Sequence, residues 1–189
     1  MSKTITRCPW PSDDALMIKY HDTEWGVPVH NDRKLFEYLV LDAAQAGLSW
    51  RTILYKRAGY KQAFANFNPN AVARFTSADM QRLMKNKNII RHKLKIQSVI
   101  TNASAFLKIQ TEFGSFNKYL WQFVNHKTIQ HHCRTTKNIP ITTRESDALS
   151  HDLKQRGFKF VGSITTYAFM KAVGLVNDHL VKCFRYKLL

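Results

Sequence analysis

Apolar residues return along most of the chain at intervals of three and four, the spacing of one face of an α-helix, and strict strand-like alternation is rare. The pattern predicts an all-α fold. Leu35, Phe36, Leu39, Val40 and Ala43 follow Asn31 or Asp32 as N-cap, and Gly47 suits the end of that helix. Ser49 caps a second helix carrying Ile53, Leu54 and Phe64. It is interrupted at Asn68-Pro69, because proline has no amide to donate and crowds the preceding turn. Another helix starts at Thr76 or Ser77. Two basic segments, Met80 to Lys85 and Arg91 to Leu107, are close enough in sequence to form a helical hairpin. A short aromatic helix follows Gly114 through Phe116, Tyr119, Leu120 and Phe123. Asn125 to Arg144, polar and containing Pro140, reads as the least structured loop. Helix resumes from Ser146 to Arg156 with Gly157 behind it, again after Gly162 up to Gly174, and finally from Asn177 through Cys183.

At 189 residues, 44% of them hydrophobic, the chain can bury a core without covalent help, and neither repeats nor low-complexity stretches interrupt it. It is expected to form one domain over 1–189, with two helical lobes: a central hairpin lobe at about 30–124, and a terminal lobe from 1–29 and 145–189. Charge changes the picture. With 29 Lys and Arg against 13 Asp and Glu the formal charge is +16, so a polyanion is the expected partner. The charge is spread along the chain rather than gathered in a polybasic tail, which favours nucleic acid over anionic lipid. Met1 to Thr6 has no apolar core behind its charges, and no apolar run reaches membrane-spanning length. Three cysteines are too few, and odd in number, for a disulfide framework. A cytoplasmic, monomeric protein is expected.

Cys8 and His21 lie near the start of the chain, and His179 and Cys183 near its end, four apart on a predicted helix where i and i+4 share a face. Two thiolates and two imidazoles fill a tetrahedral Zn²⁺ shell and leave no position for water, which makes such a site structural. On these residues alone, ordinary buried cysteines are the favoured account, because the spacing from Cys8 to His21 matches no zinc-finger pattern. His131, His132 and Cys133 read as a solvated part of the polar loop.

The stretch from Leu83 to Ile96 has the layout of a helix-hairpin-helix, whose turn amides and second-helix N-terminus present partial positive charge to a phosphate. Lys87, Arg91, Lys93 and Lys95 would reinforce it, with Asn88 at the position where φ is expected to be positive. A plain αα-corner with a solvated basic face stays open. Asp42 falls on the stripe of Leu35, Leu39 and Ala46, where a carboxylate is costly to bury unless something pairs with it. Behind it, Gln45-Ala46-Gly47-Leu48-Ser49-Trp50 sets an exposed leucine between two helices. With Trp10, Tyr20, Trp25 and Trp50, these residues suggest a pocket that stacks a flat group, and a leucine able to fill a gap in a base stack. The alternative is a solvated or capping Asp42 beside core aromatics.

The motifs Arg7-Cys8-Pro9-Trp10, Tyr20-His21-Asp22-Thr23-Glu24-Trp25-Gly26-Val27-Pro28, Gln45-Ala46-Gly47-Leu48-Ser49-Trp50, Asn88-Ile89-Ile90-Arg91-His92, Arg156-Gly157-Phe158-Lys159-Phe160-Val161-Gly162 and Gly174-Leu175-Val176-Asn177-Asp178-His179 together resemble the DNA-3-methyladenine glycosylase I family over nearly the whole chain. The resemblance implies a helix-hairpin-helix glycosylase that flips 3-methyladenine out of double-stranded DNA and hydrolyses its N-glycosidic bond. It also implies Cys8, His21, His179 and Cys183 as structural zinc ligands, Tyr20, Trp50 and Trp10 around the base, and Leu48 as the wedge. Gln45, Gly47, Asn88, Arg91 and Lys95 would lie against DNA. Two departures stand out: Asp42 and Ala43-Ala44 replace the glutamate and Gly-Gln pair of the best-known members, and Asn88 replaces glycine. Asp42 is then the carboxylate expected to carry the chemistry. The sequence places no lysine as a nucleophile, so hydrolysis without strand-cleaving lyase activity is expected. A catalytically silent DNA-structure-binding protein is the rival, and a basic RNA-binding module ranks last because its motifs are missing.

Overall fold

A computed structural model describes residues 5–189; the opening residues read above for a leader, 1–4, lie outside it. The fold is mostly helical. Helix α1 (Ala15–Thr23) starts where the Asp14 carboxylate accepts the amides of Leu16 and Met17, both at 3.0 Å. The apolar pattern missed α1 because it buries Tyr20 and His21 along with Met17, rather than an aliphatic stripe. Helix α2 (Asp32–Gln45) is capped by Asn31, and α3 (Trp50–Ala63) by Ser49, as expected. Asn68 caps the single turn α4 (Pro69–Val72), with proline at its permissive first position. The remaining helices are α5 (Ser77–Lys85), α6 (Lys93–Phe113), α7 (Phe116–Trp121), α8 (Arg144–Gln155) and α9 (Ser163–Ala172).

Helix α2 runs through the middle of the core and packs on α3, α6 and α9. Its buried run from Tyr38 to Ala44 is apolar except for Asp42. Phe36 meets Phe106 of α6 edge-on, with ring centroids 5.2 Å apart, and Phe106 stacks on Phe116 of α7 at 4.1 Å.

Two expectations fail in the last third of the chain. The polar loop is better ordered than its composition suggests. Its strand β1 (Ile129–Gln130) pairs in parallel with β2 (Val176–Asn177), and the His131 ring nitrogen Nδ1 lies 2.7 Å from an Asp178 carboxylate oxygen. Cys133, expected to be solvated, is buried, and its carbonyl accepts the Val181 amide at 3.0 Å. The closing helix from Asn177 does not form. Asn177 ends β2, its side-chain amide donates to Gln130 and to the Tyr186 carbonyl, and residues beyond it follow turns. Those side-chain bonds are non-local and compete with helix at that position.

Helices α5 and α6 form a hairpin through residues 86–92. Asn88 does not adopt the left-handed conformation expected of it. Instead the Asn86 side chain accepts the Asn88 amide at 2.9 Å, a local turn that needs no positive φ. The turn is seated on α3, where Tyr60 Oη accepts the Ile90 amide at 3.2 Å and Lys56 Nζ donates to the Lys87 carbonyl at 2.8 Å. Among the described residues, no helix is long and apolar enough to cross a membrane.

Candidate active site

A cavity of about 210 Å³ opens where α2, α3 and α9 meet the segment around α1. Trp10, Tyr20, Trp25 and Trp50 supply aromatic walls, while Asp42, Gln45 and Lys171 supply polar ones. The rings brace one another: Tyr20 and Trp50 lie 5.0 Å apart between centroids, and Trp10 and Trp25 meet edge-on at 5.1 Å. Three buried polar atoms among these residues have no partner: Asp42 Oδ2, Trp10 Nε1 and Trp50 Nε1. Buried donors and acceptors are nearly always satisfied in folded proteins, so three such atoms on residues of one cavity mark it as a candidate binding site.

Asp42 is 4% exposed, and burial pushes its carboxyl up to about 8, with Lys171 offsetting only part of that. Burial in turn holds the Lys171 ammonium below its ordinary range, against the pull of Asp178 and Asp42. Behind the wall, Arg57 of α3 donates to both oxygens of Glu24, at 2.9 and 2.7 Å, and to Glu37 at 2.6 Å. This bracing fixes α3 against the residue next to Trp25.

Of the positions expected to line a base pocket, Tyr20, Trp50, Trp10 and Asp42 come together, and Gln45, expected against DNA, lines the same cavity. Gly47 has φ +74° with open space around it, so it is needed for backbone conformation and not for room. The turn leaves Leu48 40% exposed. Asn88 and Arg91 are exposed on the hairpin. Lys95 is engaged within the protein: its Nζ donates to the carbonyls of Ala44 and Ala46, at 2.8 and 2.5 Å, at the C-terminal end of α2. That employment ties the hairpin to the Leu48 turn. Lys171 was missed altogether. Its one signal was a lone lysine in the apolar run Tyr167-Ala168-Phe169-Met170-Lys171-Ala172-Val173.

Cys8, His21, His179 and Cys183 are all buried, with their ligand atoms within 4.8 Å of one another. Cys183 Sγ lies 3.4 Å from His179 Nδ1 and 3.6 Å from His21 Nε2, and Cys8 Sγ lies 3.6 Å from His179 Nδ1. The opposite ring nitrogens are held by Asp22, 2.7 Å from His21 Nδ1, and by the Trp25 carbonyl, 3.1 Å from His179 Nε2. Outer partners of this kind fix which nitrogen faces a metal. Hydrogen bonding to Cys8, then to the two imidazoles, holds the Cys183 thiol well below its usual range; the same contact and burial push Cys8 up. Such a buried Cys₂His₂ group can hold a metal ion.

The model of the methyladenine glycosylase family matches residues 10–186. The chain is also 49% identical to DNA-3-methyladenine glycosylase 1 of Escherichia coli K12 over 182 residues, which cover 96% of this chain and 97% of that one. The chain belongs to the methyladenine glycosylase family. Another relative within it, DNA-3-methyladenine glycosylase of Haemophilus influenzae Rd, is 44% identical over 94% of this chain and 96% of its own. A crystal structure of 3-methyladenine DNA glycosylase I superposes with a TM-score of 0.93 at 47% identity, covering 95% of this chain and 98% of the other. A variant of such an enzyme in complex with 3-methyladenine superposes at 0.92 with 38% identity, over 94% and 96% of the two chains.

Proposed function

We propose that this protein removes 3-methyladenine from double-stranded DNA by hydrolysing the bond between base and sugar, without cutting the strand. The observation that carries this reading is the unpartnered Asp42 oxygen beside two unpartnered indole N–H groups in one aromatic cavity. A purine methylated at N3 is flat and cationic while attached to its sugar, and offers both donors and acceptors at its edge. Aromatic faces attract a cation, and the carboxylate adds to that attraction as it ionises. Normal adenine has neither the charge nor the methyl group.

The glycosidic bond of such a nucleotide is already weak, and the base leaves neutral, so no strong general acid is required. The chain's task is differential binding: to flip the nucleotide, seat the ring between Tyr20, Trp50 and Trp10, and hold it while water attacks the sugar carbon. Leu48 on its exposed turn is suited to fill the space left in the base stack. The hairpin at residues 86–92, with Arg91 and its neighbouring lysines, is suited to phosphate, and Lys95 serves by locking the two surfaces together. The central lobe then carries the DNA face, and the terminal lobe carries the metal tie. Zn²⁺ bound by Cys8, His21, His179 and Cys183 would be a structural tie with no open coordination position. The working form is a cytoplasmic monomer.

The test is chromatography of bases released from methylated DNA. Release of 3-methyladenine by the wild type and its loss in Asp42→Asn, with DNA binding retained, are the expected results. DNA binding without any release by the wild type, together with release by Asp42→Glu, would establish the catalytically silent reading. Since Lys171 sets an amine in the cavity, borohydride treatment belongs in the same experiment, and a covalent protein–DNA adduct would contradict hydrolysis without lyase activity.

A further inference from the structure

Lys171 projects from α9 onto the cavity wall, and Asp42 projects onto it from α2. The two do not form an ion pair, although each is the other's charged neighbour in the site. Asp42 Oδ2 is unpartnered, and the contact seen for Lys171 Nζ is the Tyr167 ring, with its centroid 4.8 Å away. Both residues thus line one aromatic slot without pairing with each other. A ligand that enters the slot meets an anion-forming group and a cation-forming group at once, and only one of them suits a cationic ring.

The two groups therefore act at different moments. Before bond breaking the ring is positive, attracted by Asp42 and repelled by an ammonium at Lys171. When the C1′–N9 bond breaks, its electron pair passes into the purine. The base becomes neutral, its ring nitrogens become better acceptors, and the sugar becomes an oxocarbenium ion that takes water and releases a proton to solvent. Repulsion from Lys171 is relieved in that step, and hydrogen bonding to it is gained. An interaction that is unfavourable in the ground state and favourable as the barrier is crossed raises the rate of chemistry and not the affinity.

We propose that Lys171 is a leaving-group residue: it bears on the departing base from α9, in the cavity it shares with Asp42, and drives the ring from its cationic to its neutral form. This rests on the reading of the cavity as the base site. Lys171→Met and Lys171→Arg test it, using single-turnover release of 3-methyladenine from methylated DNA at several protein concentrations. Lys171→Met is expected to lower the limiting rate tenfold or more while methylated DNA binds as well as before or better, and Lys171→Arg is expected to recover part of the rate. Free 3-methyladenine, followed by quenching of tryptophan fluorescence, should bind Lys171→Met more weakly, because the neutral base loses its donor. A limiting rate within twofold of wild type would overturn the proposal, as would affinity for methylated DNA falling in step with rate. If Lys171→Met does not fold, the Lys171→Leu variant, which also lacks a donor, carries the same comparison. Absence of release by the wild type in this assay would instead be a failure of the glycosylase reading.

Discussion

The backbone carbonyl of Trp25 accepts a hydrogen bond from His179 Nε2 at 3.1 Å, while Trp25 also lines the aromatic cavity. Tyr20 precedes His21, and Cys8 stands two residues before Trp10, so three of the four aromatic walls are joined through the backbone to the Cys₂His₂ cluster. A change in the cluster is transmitted to the slot over one or two residues.

Metal removal should therefore be read by the tryptophans as well as by stability. One zinc per chain is expected by metal analysis, and its extraction by a strong chelator, or the change Cys183→Ser, should lower Tm by about 10 °C or more. Tryptophan emission should shift in the same titration. An unchanged Tm after complete metal loss would contradict a structural role.

Asp42 makes a second prediction, with a definite sign. Its carboxyl in the fold titrates near 8 against an ordinary 3.8, so between those values the native state keeps a proton that the unfolded chain has lost. Rising pH across that window costs the fold up to about 1.4 kcal/mol per unit, and Asp42→Asn removes the cost. Denaturant melts of both forms at a series of pH values should show the wild type losing ground to the variant as pH rises. Base release should increase over the same range, because attraction of a cationic ring needs the ionised acid.

Gly59 lies under the hairpin turn, where an added Cβ would stand 2.3 Å from the Asn88 carbonyl oxygen. The obstacle is backbone, not a flexible side chain. Gly59→Ala should cost about 1–3 kcal/mol of stability and lift residues 86–92 off α3. Thermal melting and DNA affinity measured on the same samples should fall together.

Arg91 and Lys95 should separate in a salt titration. Arg91→Ala is expected to reduce the slope of log affinity against log salt by about 1, as the loss of one phosphate contact does. Lys95→Met should leave the slope unchanged and lower stability by about 1–2 kcal/mol, because two charge-assisted bonds to the end of α2 disappear. A reduced slope in Lys95→Met would return this side chain to the DNA face.

Much of this architecture was legible locally. Caps such as Asn31, Ser49 and Thr76 precede runs with helical periodicity, and both signals reside in neighbouring residues. Asp42 announced itself as a carboxylate on an apolar stripe. What escaped depends on distant partners: β1 is ordered by β2, 47 residues away in pairs such as Ile129 and Val176. His179 and Cys183 have the spacing of one helix face, yet turns bring them together equally well, held by the Asn177 side chain. Asn88 was expected to need a left-handed backbone because the turn was judged from its own residues, whereas Asn86 and the surface of α3 decide its path. Lys171 is silent in the pattern because its meaning comes from Asp42 on another helix.

The first and last ligands of the cluster, Cys8 and Cys183, are separated by nearly the entire polypeptide. During synthesis on the ribosome, Trp10 and Trp25 emerge long before His179 and Cys183, the residues that anchor them. A chain stopped before residue 179 would carry Cys8 and His21 without His179 and Cys183, and its aromatic cavity would lack the support of that cluster.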